Sequence, residues 1–218
     1  MTLQIRQKLT ILVAAALLAL VSISFFAYSQ AAKLSNALEN AIGRHATMSE
    51  AIDSARGAQV RFKTQVQEWK NILLRGKDVE SFNKHLKSFD DEDKAVRDRL
   101  EQVRAAAMKL GVVDRLKINE VATAFDKLAP AYRDALKQYD RNAADPAGTV
   151  DKLVRGIDRA PTKAIDDMVS EMQKITKEFN IEEAKGAVEV YSAVKSGLIA
   201  FSLGAIIVLV FLAATFFR

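Results

Sequence analysis

Two long runs without a charged residue constrain this 218-residue chain more than any other feature. The first comprises the 24 residues from Leu9 to Ala32, and the second comprises the 22 residues from Ser196 to Phe217. A helix of about 20 apolar residues crosses the roughly 30 Å hydrocarbon core of a bilayer, so both runs are long enough to span a membrane. The sequence therefore predicts a short N-terminal segment at 1–8 and transmembrane helices at 9–32 and 196–217.

The segment between the two runs, residues 33–195, carries nearly all of the charge. It holds all 27 acidic residues and 29 of the 32 basic residues, which leaves it with an excess of only two positive charges. The net charge of +5 therefore does not indicate a basic domain, and we expect no nucleic-acid partner. The other three positive charges, Arg6, Lys8 and Arg218, flank the apolar runs. By the positive-inside rule both termini are predicted to be cytoplasmic, and 33–195 to face the periplasm or exterior.

A cleaved signal peptide is the alternative interpretation of the first run. Arg6 and Lys8 would form its basic region, and Ala27-Tyr28-Ser29 would supply a small-x-small cleavage site. The apolar stretch is longer than the roughly 7 to 15 residues of a signal peptide, and helical periodicity continues past the cleavage site. The pattern favours an uncleaved anchor.

Apolar residues in the middle segment recur at alternating spacings of four and three, which indicates long helices packed in coiled-coil fashion. The first such ladder runs from Leu34 to Leu73, the second from Val79 to Leu110, and the third from Ile118 to Tyr139. Pro130 is predicted to kink the third helix. Residues 142–149 are predicted to form a loop, because Asn, Asp, Pro and Gly cluster there.

A fourth helix is predicted to begin near Pro161 and to continue into the second apolar run. Short connections make consecutive helices antiparallel, so the chain leaves the membrane on helix one, returns on helix two, leaves on helix three and comes back on helix four. The stretches 33–75 and 153–195 are equally long and would each project about 65 Å. The predicted fold is all-α: an antiparallel, up-down-up-down four-helix bundle at 33–195, extended by two transmembrane helices.

Two segments within this layout resemble the sensor half of bacterial methyl-accepting chemotaxis proteins. They are AQVRFKTQVQEWKNILLRGKD at Ala58–Asp78 and VRGIDRAPTKAID at Val154–Asp166. The resemblance implies a two-pass protein of the bacterial inner membrane that forms a homodimer. It also implies that a periplasmic bundle binds a small molecule and transmits a helix displacement across the membrane for chemotaxis.

The C-terminus differs from that family. Its members continue into a HAMP module and a cytoplasmic hairpin that binds an adaptor and a histidine kinase, whereas this sequence stops at Arg218. The adaptor and kinase are therefore expected partners only if a signalling domain follows. Whether the chain is a truncated receptor or a complete short protein stays open at this point.

A candidate ligand site follows from the lengths of helices one and four. Lys70 lies 37 residues after Lys33, and Asp158 lies 37 residues before Lys195, so both are predicted at about 55 Å from the membrane. We expect a small anion, such as an anionic amino acid or organic acid, to be bound there by guanidinium groups. The resemblance implies that the site lies between helices one and four at a dimer interface. The predicted ligand-binding residues are Arg56, Arg61, Gln65, Trp69, Lys70, Asn71, Arg75, Asp158, Arg159 and Thr162.

These residues also have an ordinary structural interpretation. Asp158 would pair with Lys70 or Arg75 to hold the start of helix four, and Trp69 would be a core residue. The choice between a structural role and a binding role also applies to the polar residues that interrupt the apolar ladders, namely His45, Gln59 and Asp93. A lone polar core position often fixes the register of a coiled coil, as an alternative to binding a ligand or metal.

Neither a cofactor nor catalysis is expected. The two histidines, His45 and His85, are not in the Glu-x-x-His arrangement of di-iron bundles, and helix four has no histidine to ligate haem. Without cysteine the chain has no disulfide or thiol chemistry. It also has no Gly-rich phosphate loop and no nucleophile motif, so we expect no enzyme. The alternative functions are a membrane-anchored periplasmic structural or interaction protein, or the sensor region of another two-component receptor.

Overall fold

A computed structural model describes residues 4–216, and within that range the chain forms helices and no strands. The all-α prediction is confirmed. The predictions for Met1 to Leu3, Phe217 and Arg218 concern positions outside the described residues, and the domain boundaries stay predictions. The helices are α1 (Ile5–Arg75), α2 (Val79–Leu110), α3 (Ile118–Asp126), α4 (Leu128–Leu136), α5 (Pro146–Val154) and α6 (Arg159–Phe216).

The chain divides into two compact units. One comprises Met1–Gly43 and Phe179–Arg218, and we call it the anchor unit. The other comprises Arg44–Glu178, and we call it the core unit. Helices α1 and α6 contribute residues to both units, and the four other helices belong to the core unit alone.

In the anchor unit, α1 and α6 each contain a stretch that is long and apolar enough to cross a membrane, and none of either stretch is buried. The rings of Phe26 and Phe201 stack with their centroids 4.7 Å apart. A Cβ at Gly197 would lie 2.6 Å from the Phe26 ring, so this close approach needs a glycine. The Lys8 ammonium donates a hydrogen bond of 2.5 Å to the carbonyl of Phe216, at the negative end of the α6 dipole. The two helix segments are therefore antiparallel.

Capping residues set the ends of α2 in the core unit. Asp78 precedes the helix, and its carboxylate accepts the backbone N–H of Ser81 at 2.8 Å. This bond holds the pKa of Asp78 below its ordinary value. At the other end Gly111 adopts φ +69°, a left-handed conformation that favours glycine, and its N–H reaches the carbonyls of Ala107 and Met108.

The third predicted helix is two helices, α3 and α4, which meet at Lys127. Pro130 explains the break, because it has no N–H to donate to the carbonyl of Asp126 and its ring would clash with that carbonyl. Asp126 is therefore the last residue of α3. The predicted loop at 142–149 is also shorter in the structure, because Asp145 caps α5 by accepting the N–H of Gly148 at 2.8 Å.

Polar contacts show how consecutive helices of the core unit run. Between α1 and α2 the bonded pairs are Ser54–Gln102, Gln65–Asp93 and Glu68–His85. Between α2 and the α3–α4 pair they are Arg104–Asn119, Arg97–Asp126 and Asp90–Arg133. In both sets the residue numbers rise along one helix while those of the partners fall along the other. Helix α1 is therefore antiparallel to α2, and α2 is antiparallel to the α3–α4 pair; the complete bundle arrangement stays a prediction.

Aromatic rings from four helices form the centre of the core unit. Trp69 of α1 stacks on Tyr132 of α4 with ring centroids 4.1 Å apart, and Phe89 of α2 meets the Tyr132 ring edge-on at 5.7 Å. Phe62 of α1 meets Phe125 of α3 at 5.7 Å. Burying each of these rings stabilises the fold by about 1.5–3 kcal/mol relative to leaving it exposed. The aliphatic core includes Ile72, Val96, Leu116, Ile118, Ile165, Met168, Met172 and Ile175.

Candidate functional site

Tyr132 is stacked on Trp69 of the first resembling segment, and its hydroxyl is within the electrostatic range of Asp158 of the second. Trp69 is 4% exposed and Tyr132 is 3% exposed. Burial raises the pKa of the Tyr132 hydroxyl, and the negative charges of Asp158 and Asp151 raise it further. The equal depth predicted for Lys70 and Asp158 stays a prediction.

Asp158 directly precedes α6. Its backbone carbonyl accepts the N–H of Thr162 at 3.0 Å and the Thr162 hydroxyl at 2.6 Å, which are first-turn contacts of the helix. Pro161 is tolerated there because an N–H in the first turn has no partner within the helix. Within residues 4–216 the Asp158 carboxylate forms no ion pair, so the alternative pairing with Lys70 or Arg75 is not formed.

One side of α1 is turned toward α6. The Gln59 amide donates to the Asp166 carboxylate at 2.5 Å and fixes this side. Lys70 follows Gln59 by eleven residues, about three helical turns, and therefore lies on the same side of α1. Arg159 and Thr162 precede Asp166 by seven and four residues, which places them on the matching side of α6. We define the α1–α6 site as Lys70, Asp158, Arg159 and Thr162.

Three other predicted site residues have partners on α2 or within α1. Arg61 pairs with Glu92 at 3.0 Å, and the amide nitrogen of Gln65 donates to Asp93 at 3.0 Å. Asn71 donates at 3.3 Å to Glu68 of its own helix. The second oxygen of the Glu68 carboxylate bonds Nδ1 of His85 on α2 at 2.6 Å.

Arg56 and Arg75 are exposed on α1. Neither has a side-chain hydrogen bond or ion pair within residues 4–216. The predicted ten-residue cluster therefore divides into the α1–α6 site, the three residues bonded to α2 or within α1, the two exposed arginines, and Trp69 in the core. Ligand binding by any of them stays a prediction.

Asp93 connects three helices. It is 8% exposed, and its carboxylate accepts from Gln65 of α1 and from Nε of Arg97 at 3.0 Å. Arg97 also bonds Asp126 of α3, and its guanidinium lies 5.0 Å from the centroid of the Phe125 ring. These bonds suit a residue that fixes helix register, as the sequence suggested for polar ladder positions. Of the other two such positions, Gln59 bonds Asp166 and His45 is exposed.

Arg115 forms a contact that the sequence did not predict. It lies in the turn after α2 and bonds two carboxylates of α6, Glu171 at 2.7 Å and Glu178 at 2.6 Å. A groove of about 430 Å³ lies beside it, between the turn, α3 and α6. Within the described residues no group of three or more His, Cys, Asp or Glu side chains is arranged to hold a metal ion.

The chain is similar to a curated bacterial protein, the methyl-accepting chemotaxis protein CtpH of Pseudomonas aeruginosa. The two are 30% identical over 173 residues, which covers 78% of this chain. The matched part spans 29% of the length of that relative. No protein-family profile matches the chain, and no solved structure matches it. An all-α chain with two helices that could span a membrane is thus similar, over most of its length, to part of a chemotaxis receptor.

Proposed function

We propose that this chain is the sensor region of a chemoreceptor-type membrane protein and has no catalytic activity. The observation that carries the proposal is the similarity to a chemotaxis receptor over 78% of the chain. Two helices of sufficient length and apolarity to span a bilayer agree with it. Coupling to a chemotaxis adaptor and histidine kinase is part of the proposal only where a cytoplasmic signalling domain accompanies the chain.

The proposed topology places both termini in the cytoplasm and residues 33–195 in the periplasm of a bacterial inner membrane. Arg6 and Lys8 precede the first apolar run, and basic residues at the end of a span favour the cytoplasmic side. The bond from Lys8 to the Phe216 carbonyl supports placing the start of α1 and the end of α6 at the same membrane surface.

The proposed ligand is an anionic amino acid or a related organic acid at the α1–α6 site. Lys70 and Arg159 supply positive charge for a carboxylate. The Thr162 hydroxyl donates to the backbone carbonyl of Asp158 at 2.6 Å and so lies in the first turn of α6 with Arg159. The Asp158 carboxylate would bind an ammonium group, which favours the amino acid. Arg56 and Arg75 are exposed and available to a ligand held between two copies of the chain.

Homodimerisation is part of the proposal. Large apolar residues are exposed on α1, including Val60 at 60% and Leu74 at 78%. Ala55 is fully buried within its own core unit and therefore does not contribute to a dimer interface. A cysteine at Val60 is therefore suited to disulfide crosslinking between two copies, whereas a cysteine at Ala55 is not.

Signal transmission is proposed to use α6, because hydrogen bonds along a helix backbone resist axial compression. A ligand that binds two positions of α6 with different affinity would shift their populations, typically with about 1–3 kcal/mol of coupling. Met168 and Met172 are buried on α6, and their flexible side chains can repack when the helix moves.

Calorimetric titration of the full-length chain in lipid nanodiscs against a panel of amino acids and organic acids tests the ligand proposal. We expect one compound class to bind, and Asp158→Asn and Lys70→Gln to weaken it at least tenfold. Arg133→Gln is the matched control, because Arg133 is an exposed arginine that pairs with Asp90 away from the site. Absence of binding across the panel, or equal affinity for the site variants and the control, would contradict the proposed site.

A further inference from the structure

We propose that the ion pairs of Arg115 with Glu171 and Glu178 hold α6 in one axial position and so set the resting position of this helix, which would transmit the signal. We call this set of three residues the clasp. This inference rests on the proposed sensor function. One guanidinium makes three hydrogen bonds to α6, one to Glu171 at 2.7 Å and two to Glu178 at 2.6 and 3.2 Å. These bonds lower the pKa of both glutamates below its ordinary value, so both carboxylates are charged at neutral pH.

The turn that carries Arg115 is firmly held. Val112, Leu116 and Ile118 on either side of Arg115 are each at most 6% exposed. The N–H of Leu116 donates to the carbonyl of Val112 at 3.2 Å, and Lys117 adopts a left-handed conformation at φ +50° to begin α3. The backbone of Arg115 is therefore held in place, and its side chain reaches α6 from a fixed origin.

The spacing of charges along α6 favours one register. Glu171 and Glu178 are seven residues apart, which is about 10 Å or two helical turns, so Arg115 bridges two levels of the helix. A slip of one turn in either direction would leave Arg115 with one carboxylate instead of two. A slip in one direction would bring Lys174 to the place of Glu178 beside Arg115, and a slip in the other would bring Ile175 to the place of Glu171. In the observed position both helix turns that face Arg115 present a carboxylate.

The location of the clasp suits control of output. Glu178 is the last residue of the core unit on α6, and the same helix continues into the second apolar run. A ligand that moves α6 must therefore work against the Arg115 contacts. Because these side chains are partly exposed, salt screens the clasp, and it can open without unfolding the core.

Distances between spin labels test the clasp directly. The chain has no cysteine, so labels can be attached to cysteines placed at Thr123 of α3 and Gln173 of α6, both exposed. In nanodiscs without ligand we expect one narrow distance distribution for the otherwise native chain. Arg115→Gln should broaden it or shift its mean by about 1–2 Å, the size of helix shifts in signalling proteins. Arg133→Gln, which breaks an ion pair of similar exposure between α4 and α2, should leave it unchanged.

Two further variants sharpen the test. Glu178→Gln should reproduce the effect of Arg115→Gln, and the exchange Arg115→Glu with Glu178→Arg should recover part of the native distribution. An unchanged distribution in both Arg115→Gln and Glu178→Gln, or an equal change in the Arg133 control, would overturn the clasp. The measurement needs no ligand, so failure of the clasp and failure of the proposed ligand site are distinguished by comparing it with the titration.

Discussion

The buried pair of Gln65 and Asp93 provides a quantitative test of how α1 and α2 are held together. Gln65 is fully buried, Asp93 is 8% exposed, and the two side chains bond at 3.0 Å across the helix interface. Asp93→Leu would leave the Gln65 amide N–H buried without an acceptor. Leaving a buried polar group unpaired costs about 1–3 kcal/mol, so Asp93→Leu should lower the free energy of unfolding by about that amount. Gln65→Leu removes the donor of Asp93 Oδ1 but leaves the bond from Arg97 to Oδ2, so its loss should lie toward the low end of that range.

The double variant should behave differently from the sum of the two single variants. Replacing both partners by leucine leaves no unpaired group between them, and Arg97 keeps its bond to Asp126. We therefore expect the double variant to lie within about 1 kcal/mol of the native chain. For a chain of this size about 1–3 kcal/mol corresponds to a fall in Tm of roughly 3–9 °C for each single variant.

Thermal unfolding of the full-length chain in detergent, followed by far-UV circular dichroism at neutral pH, measures these values. Gln67→Leu on the exposed side of α1 is the control and should change stability by less than about 0.5 kcal/mol. Single variants with native stability, or a double variant as unstable as the sum of the singles, would refute the reasoning. If Gln65 contacts ligand instead, Gln65→Leu would weaken binding without lowering Tm.

Three further predictions concern topology, packing and pH. A cysteine at Asn83 should react with a membrane-impermeant maleimide in intact cells, and one at Gln4 only after permeabilisation; the reverse pattern would contradict the proposed orientation. Trp69→Ala should lower the free energy of unfolding by about 3–5 kcal/mol, because it removes a buried ring stacked on a tyrosine, whereas a loss below about 1 kcal/mol in chemical denaturation would contradict that packing. The pKa values of Glu171 and Glu178 in the folded state are lowered, so all the Arg115 ion pairs are formed above the ordinary pKa of 4.5 and are lost as pH falls through the lowered values. Spin-label distances that do not change on acidification would contradict this.

Much of the fold could be predicted because long helices with regular apolar ladders carry a strong periodic signal. The glycine at 111 and the acidic cap at Asp78 place the ends of α2 where the structure has them. Pro130 shows the limit of such prediction. A proline inside a helical pattern produces either a kink or a break, and the outcome depends on the surrounding packing. Here Leu128 and Ala129 are both buried, so the chain restarts as α4 against the core.

The sequence predicts where the candidate site lies along the helices, but not its direction around them. Counting residues placed Lys70 and Asp158 at one level; in the structure Trp69, the neighbour of Lys70, stacks on Tyr132, and the charge of Asp158 raises the pKa of the Tyr132 hydroxyl. An apolar ladder identifies the core side of α1 without showing which neighbour flanks each edge of it. Arg61 faces α2 in the structure. From the sequence we expect it beside helix four, because its guanidinium could bind an anion there. The contact of Arg115 with α6 could not be predicted from the sequence, because Arg115 lies in a turn and reaches α6 only through its long side chain.

A hybrid receptor tests the central claim, that ligand binding in the core unit drives a response through α6. Residues 1–218 would be joined to the cytoplasmic portion of a methyl-accepting chemotaxis protein and expressed in cells that lack other receptors. The compound identified by titration is expected to change kinase output in these cells, and Asp158→Asn is expected to abolish that change. A hybrid that reaches the membrane and binds the compound with native affinity, yet gives no change in kinase output, would contradict the claim.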